Sequence, residues 1–161
     1  MIYPSNFETK IQFSEIRSLL KGYCLSQLGK DKVDTMAFSD DAEQINMALR
    51  QTREFRRMQE EADDFPLQFF FDMRASIKRI RIEGTHLEEN EIFDLRRSLE
   101  TIAGIVRFLN RSDDEGNFDY PTLHSLTEDV LTFPDLIRRI DQILDKYGKI
   151  KDTASPKLAE I

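Results

Sequence analysis

The sequence predicts an all-α fold, and three features of its residue pattern support this prediction. Apolar residues recur every three or four positions almost throughout, which is the period of a helix with one buried face. Nothing alternates with a period of two over the length of a strand, so no β-sheet is predicted. Capping residues and prolines stand where helices would begin. We therefore expect an irregular multi-helix array without internal repeats.

The first third of the chain contains an amphipathic stripe with one break and then a longer helix. The stripe begins at Phe13, and the break falls near Ser26. The longer helix is predicted to start at Asp40, because Asp40-x-x-Glu43 has the pattern of a capping box, and to run to about Glu61. Its predicted core face comprises Ile45, Ala48, Leu49, Thr52, Phe55 and Met58.

The middle of the chain combines an aromatic connector with the longest predicted helix. Residues 65–72 hold a proline and a phenylalanine run, which interrupts the helical period and favours a buried connector. Helix is predicted again over residues 73–82. Thr85-x-x-Glu88 is a second capping-box pattern, and the helix that follows it to Asn110 would be ~35 Å long. Its predicted core stripe comprises Ile92, Leu95, Leu99, Ile102, Val106 and Leu109.

The last third begins with a polar, glycine-containing loop over residues 113–117. Pro121 and Pro134 each fit the first position of a helix, because proline has no N–H to donate and a φ angle suited to that position. The second of these helices is predicted to end at Tyr147-Gly148, since glycine tolerates the left-handed conformation common at helix ends.

The end of the chain carries the signal of one more helix. Ser155 can accept a backbone N–H as N-cap, and Pro156 fits the first helical position. Only six residues follow Ser155, and so short a helix is marginal in water unless it continues or docks. We therefore expect residues 1–155 to form one helical domain and residues 156–161 to begin a truncated helix. On this interpretation the chain is an N-terminal fragment of a longer protein.

Composition narrows the classes of function. The formal net charge of −7 argues against a dedicated nucleic-acid grip, since proteins that neutralise many phosphates usually have a basic surface. Cys24 is the single cysteine, which excludes an internal disulfide and a multi-cysteine metal site; we expect it to be a small buried hydrophobe. Neither a secretory signal nor ~20 consecutive apolar residues are present. These features predict a cytoplasmic protein without membrane contact.

Sequence motifs for catalysis are absent from the chain. It contains no G-x-x-x-x-G-K-[ST], G-x-G-x-x-G, H-E-x-x-H or G-x-S-x-G. His86 and His124 lie near the predicted starts of different helices and pair with no cysteine, so we expect capping or surface roles for both. The sequence thus predicts no catalytic residue, no bound cofactor and no metal site in this chain, which we expect not to be an enzyme by itself.

Basic residues are concentrated between residues 74 and 97. Arg74, Lys78 and Arg81 are three or four positions apart, which would place them on one helical face as candidates for nucleic-acid phosphate contact. The alternative is pairing with neighbouring carboxylates, worth only ~0–1 kcal/mol per exposed pair. The phenylalanines of the connector could form a base-stacking platform, but carboxylates flank them, which favours packing. The other basic residues of this region are Arg79, Arg96 and Arg97.

Several stretches, taken in order, resemble the bacterial MutS-type ATPases, and most closely their shorter, type-two branch. No single stretch is specific, but the ordered set runs along nearly the whole chain. Phe13-Ser-Glu15 formally matches the Phe-x-Glu of mismatch-reading MutS proteins; the apolar stripe predicts a core role for Phe13 instead, which agrees with a branch that lacks the mismatch-reading domain. The stretches are Phe13-Ser-Glu-Ile-Arg-Ser-Leu-Leu20, Cys24-Leu-Ser-Gln-Leu-Gly-Lys-Asp-Lys-Val33, Arg79-Ile-Arg-Ile-Glu-Gly84, Leu95-Arg-Arg-Ser-Leu-Glu-Thr-Ile102, Gly148-Lys-Ile-Lys-Asp152 and Ala154-Ser-Pro-Lys-Leu158.

The resemblance implies that residues 1–155 are the non-catalytic core domain of such a protein, at the base of its lever, and that residues 156–161 begin the lever helix. It implies a longer parent in the mismatch-repair family: a homodimeric ATPase that binds ATP and Mg, clamps DNA and carries an endonuclease tail. The type-two branch is associated with recombination control on branched DNA, a DNA-repair role, and with rescue of stalled ribosomes. The core would relay ATP-driven motion between ATPase and clamp. The alternative is a self-contained helical protein–protein interaction domain without a nucleic-acid role.

Overall fold

The computed structural model describes residues 6–155, which fall into two compact units, residues 6–38 and 39–155. Within residues 6–155 the chain forms eight α-helices and no β-strand, so the predicted all-α class is confirmed. The predicted helix start at Ser155-Pro156 and the segment 156–161 lie outside the described residues. The helices are α1 (Phe7–Lys10), α2 (Phe13–Tyr23), α3 (Gln27–Asp34), α4 (Ala42–Glu61), α5 (Arg74–Arg79), α6 (Glu89–Leu109), α7 (Pro121–His124) and α8 (Pro134–Ile143).

The first unit packs α1 and α3 against α2. The predicted break at Ser26 is present, because the Ser26 hydroxyl accepts the Gly29 N–H at 3.2 Å and caps α3. Cys24 follows α2 and is half-buried rather than buried, with its Sγ 3.3 Å from the carbonyl oxygen of Leu20. Most of the apolar stripe of α2 is exposed; its exposed members are Ile16, Leu19, Leu20 and Tyr23.

Helix α4 begins one residue later than its sequence pattern predicts. Asp41, not Asp40, is the N-cap, because its carboxylate accepts the N–H groups of Glu43 at 2.9 Å and Gln44 at 3.1 Å. The predicted end at Glu61 is confirmed. The predicted core face is buried only at Met58, since the last turns of α4 alone reach the core; Ile45, Leu49 and Phe55 are exposed.

The core of the second unit lies where α4, α6 and α7 meet. Phe65 from the connector packs on it, and its ring makes edge contacts with those of Phe55 and Phe108 at centroid distances of 6.0 Å and 5.2 Å. The predicted connector, residues 65–72, is irregular as expected, but it is not buried: Phe65 packs on the core, whereas Leu67 and Phe69 are exposed. The buried members of the core are Met58, Phe108, Leu109, Tyr120 and Leu123.

Helix α6 has the predicted length, but its cap differs from the prediction. Glu88 is the N-cap and forms a reciprocal capping box with Glu91. The Thr85 hydroxyl is 2.8 Å from the carbonyl oxygen of Arg79 and 2.7 Å from that of Ile82, so it closes the turn before the helix and cannot cap it.

The buried face of α6 agrees with the predicted stripe at Leu109 but also includes polar residues outside that stripe. Ser98 and Thr101 are buried because their hydroxyls donate hydrogen bonds to the connector, Thr101 to the carbonyl of Gln68 at 2.8 Å and Ser98 to that of Phe69 at 3.4 Å. Ile102, which belongs to the predicted stripe, is exposed. The connector therefore determines which side of the helix is covered.

The segment after α8 forms a tight turn where the sequence predicts continuing helix. Helix α8 ends at Ile143, and Leu144 pairs with Ile150 in an isolated antiparallel bridge. Gly148 has the positive φ angle expected of it, 80°, but within this turn. Pro121 and Pro134 occupy the first positions of α7 and α8, as predicted.

Candidate nucleic-acid and interaction surfaces

The three residues predicted to contact phosphate do not share one helical face. Helix α5 ends at Arg79, so Arg81 lies beyond it in the turn that leads to Gly84. Arg74 is engaged by a carboxylate, since its Nε is 2.8 Å from Asp72 Oδ1 and its Nη2 is 2.5 Å from Asp72 Oδ2. These hydrogen bonds lower the pKa of Asp72 to about 2.

Lys78 and Arg81 remain available for an external anion. Both are exposed, and neither side chain has an ion pair or hydrogen bond to another residue in the described range 6–155. Two isolated cations neutralise few phosphates, so any binding through them would be weak and sensitive to salt. Pairing with a carboxylate, the alternative considered from the sequence, applies to Arg74 and to the neighbouring Arg79.

Glu91 connects α5 to the start of α6. Its carboxylate accepts the Ser76 hydroxyl at 2.7 Å and the Glu88 N–H at 2.9 Å, and it pairs with Arg79. These three donors, with the Ser76 hydroxyl contributing most, lower the pKa of Glu91 to about 2. Arg79 is therefore committed to joining two helices.

Arg96 joins α6 to α8 in a similar way. Its Nε donates to Asp141 Oδ1 at 2.8 Å, and it also pairs with Glu100 on its own helix. The hydrogen bond to Asp141 raises the pKa of Arg96 above its ordinary value. Lys151 Nζ donates to the carbonyl of Asp141 at 2.6 Å, which brings the segment after the turn to the same place.

Arg97 is enclosed by three phenylalanines. Its guanidinium carbon lies 4.8 Å from the ring centroid of Phe69 and 4.5 Å from those of Phe71 and Phe93. Arg97 also pairs with Asp94, while its Nε is buried and has no hydrogen-bond partner in the described structure. Two connector phenylalanines thus flank an arginine of the same chain, which supports packing over base stacking for these rings.

Two of the clefts in the second unit lie near these charged and aromatic residues. One of about 620 Å³ lies beside α6, and one of about 530 Å³ lies along the connector. His124 stacks on Phe118 with ring centroids 3.5 Å apart, and His86 Nε2 lies 3.6 Å from a carboxylate oxygen of Glu88. Across residues 6–155, no three Asp, Glu, His or Cys side chains are grouped to hold a metal ion. None of the helices described is both long and apolar enough to span a bilayer.

The contact at Glu54 is one of the long-range contacts that sequence reasoning missed. The carboxylate accepts the N–H groups of Thr122 and Leu123 at 2.9 Å each, so a side chain of α4 caps the N-terminus of α7. No local pattern could have revealed it, because the partners lie 68 and 69 positions apart. The pattern Asp145-x-x-Gly148, by contrast, was a visible signal for a turn.

Comparison with known proteins identifies relatives at the level of sequence. No family model and no solved structure matches the chain. It is 30% identical over 151 residues to "Endonuclease MutS2" of Symbiobacterium thermophilum, 28% over 148 residues to that of Latilactobacillus sakei, and 26% over 151 residues to that of Geobacillus sp.. These alignments cover 92–94% of this chain, which spans only 18–19% of the relatives' length.

Proposed function

The chain is related over nine-tenths of its length to a segment of the type-two MutS proteins, as its sequence predicted, and we propose that it is a non-catalytic helical core module of such a protein. On this proposal it relays ATP-driven motion between an ATPase domain and a DNA-binding clamp. Both of those domains would correspond to parts of the relatives that the alignments do not cover.

The proposal extends to the activities of the longer protein. It would act as a cytoplasmic homodimer that binds ATP and Mg, with branched DNA or stalled ribosomes as its target. The relatives carry the name endonuclease, and we assign that activity to residues outside the matched segment. The sequence motifs for nucleotide binding are missing here, which supports a mechanical role for this module.

The relay role is supported by hydrogen bonds that charged side chains make between helices within residues 39–155. Arg96 connects α6 to α8, Glu54 connects α4 to α7, and Glu91 connects α5 to α6. A hydrogen bond to a charged side chain is strong and fixes the geometry of the groups that it joins. A close-packed body with such connections transmits a displacement from one end to the other.

A chimaeric protein tests the relay role. In the Symbiobacterium thermophilum relative, the matching segment is replaced by this chain, and ATP turnover is measured with and without branched DNA. We expect the chimaera to retain DNA-dependent turnover. Arg96→Gln within it should reduce the stimulation by DNA about tenfold, a typical coupling energy between sites, and leave basal turnover unchanged.

The matched control is Arg138→Gln, which removes an arginine from an exposed pair with Asp135 on α8. This variant should leave the stimulation unchanged, because exposed pairs contribute little. Equal stimulation in the Arg96 and Arg138 variants would contradict the relay role.

The second candidate function, a protein–protein interaction domain, is favoured by one observation. Leu19 and Tyr23 of α2 are 64% and 83% exposed, and such apolar side chains on one helix are typical of a docking face. A chimaera without ATP turnover, together with a cooperative thermal transition of the isolated chain, would favour this alternative.

A further inference from the structure

The turn after α8 presents an aromatic side chain among lysines. Tyr147, which the sequence predicts at the end of a helix, is 72% exposed. Lys146 Nζ lies 4.9 Å from the centroid of the Tyr147 ring, and Lys149 and Lys151 follow within four residues. Lys149 makes one long contact, 3.8 Å, with Glu89, and the Lys149 side chain is 77% exposed. The tip of the turn is therefore aromatic and locally basic on a chain whose net charge is −7.

The backbone of this turn is held in one conformation. Asp145 Oδ1 accepts the N–H groups of Tyr147 and Lys149, both at 2.8 Å, and the Asp145 N–H donates to the Lys149 carbonyl at 2.8 Å. Gly148 adopts a φ of 80°, and a Cβ there would lie 2.7 Å from Phe93 Cγ, so the turn is seated against α6. A ring that is already positioned loses little conformational entropy on binding.

The adjoining cleft of about 620 Å³ has the size of small-molecule sites and adds further groups suited to a nucleotide. The Lys146 and Lys151 side chains line it together with Tyr147. Its carboxylates already have donors: Asp141 and Glu100 pair with Arg96, and Asp145 accepts backbone N–H groups. An incoming phosphate would therefore meet lysines beside carboxylates that are largely compensated.

We infer that Tyr147 is a stacking platform for an unpaired base, and that Lys146 and Lys149 contact the phosphates on either side of it. Aromatic rings interleaved with basic residues are the usual surface for single-stranded nucleic acid, because every base has a stacking face and every linkage a charge. A protein partner fits less well, since the hydroxyl-bearing ring contacts Lys146 and is followed two residues later by Lys149.

This inference adds a binding site to the proposed function, which places the main nucleic-acid-binding domain outside this chain. It rests on that function only for the biological role of the site. Oligonucleotide binding to the chain alone is measured without ATP, whereas the chimaera reports ATP turnover. Failure of either experiment is thus distinguishable from failure of the other.

The test is a binding titration of the 161-residue chain with fluorescently labelled oligo-dT and oligo-U at low salt. We expect Kd values of about 1–100 µM, the range typical of non-specific binders. Binding to a duplex of equal length should be weaker, because its bases are already stacked. Tyr147→Ala should weaken binding to the single strand roughly 5- to 150-fold, the loss typical of one stacked base. Tyr147→Phe, which keeps the ring, should bind within about threefold of the parent chain.

Further variants test whether the oligonucleotide binds at Tyr147 rather than elsewhere on the chain. Tyr23→Ala removes a tyrosine that is more exposed than Tyr147 but lies on α2, and it should not change binding. Lys146→Gln with Lys149→Gln should reduce the slope of log K against log salt by about 1.4, since each contact to a single strand contributes about 0.7. Circular dichroism should give the same thermal midpoint for Tyr147→Ala and the parent chain.

Comparison of oligo-dT with oligo-U shows whether the site prefers DNA or RNA. Binding to oligo-dT, oligo-U or both that falls in Tyr147→Ala supports the platform, and the strand preferred identifies DNA or RNA as its source. Binding to neither strand, or undiminished binding by a folded Tyr147→Ala variant, overturns it. Loss of binding in the triple Ala variant of Arg74, Lys78 and Arg81, with Tyr147→Ala unaffected, would overturn it in favour of the region around α5.

Discussion

Glu54→Ala removes a carboxylate that connects two helices far apart in the sequence. Glu54 stands on α4, and its Oε2 accepts the N–H groups of Thr122 and Leu123 at 2.9 Å each. Helix α7 has four residues and no N-cap side chain of its own, so Glu54 supplies the acceptor that short helices usually obtain locally. Leu123 is buried and belongs to the same hydrophobic core as Met58.

The expected cost follows from the groups left behind. Hydrogen bonds to a charged acceptor contribute about 1.5–3 kcal/mol, and loss of an N-cap costs about 0.5–2 kcal/mol. We therefore expect the free energy of unfolding to fall by about 1.5–3 kcal/mol in Glu54→Ala. In Glu54→Gln the amide oxygen can still accept, so we expect a loss of about 0.5–1.5 kcal/mol. Alanine favours helix, so propensity cannot explain a loss.

Urea denaturation followed by far-UV circular dichroism measures this change, and hydrogen exchange of the Thr122 and Leu123 amides locates it. Both amides should exchange faster in Glu54→Ala. Glu60→Ala is the matched control, because Glu60 lies on the same helix, is 68% exposed and approaches Arg56 only to 3.7 Å; its effect should stay below about 0.5 kcal/mol. Equal stabilities of the two variants, or unchanged exchange at the two amides, would refute the cap.

Three other predictions follow from single features of the structure. Gly148→Ala should lower the free energy of unfolding by about 2–5 kcal/mol in chemical denaturation, because it combines left-handed strain with a clash against Phe93. Gly116→Ala, with φ 84° and open space around it, should lower it by only about 1–2 kcal/mol. Similar losses in the two variants would contradict the close packing of the turn on Phe93. The pKa of Glu91 should be about 2 by NMR titration, so the stability that this carboxylate contributes is complete above pH 4.5 and disappears as the pH falls towards 2; an unchanged pH dependence in Glu91→Gln would show that it contributes none. The triple Ala variant of Arg74, Lys78 and Arg81 should remove only a weak, salt-sensitive affinity for branched DNA, and sub-micromolar binding at ~150 mM salt that disappears in this variant would show that these residues form a main nucleic-acid site.

The chain's local signals predicted its secondary structure well. Pro121 and Pro134 begin helices as predicted, and the break at Ser26 and the end of α4 at Glu61 also agree. These features depend on groups within a few residues of each other, whose geometry the covalent chain itself constrains. Where two caps competed locally, as at Asp40 and Asp41, the error was a single residue.

Only the tertiary structure determined which helix faces are buried and which charged side chains form ion pairs. Helix α6 buries Ser98 and Thr101 because the connector supplies carbonyl acceptors for their hydroxyls, and an apolar period carries no information about such acceptors. Arg74 is engaged by Asp72, while Lys78 is exposed without an ion pair in the described structure, although both lie in one basic stretch of sequence. The sequence by itself determined an all-α chain related to the type-two MutS proteins; long-range contacts determined its surface, because a side chain's partner depends on how the helices are packed.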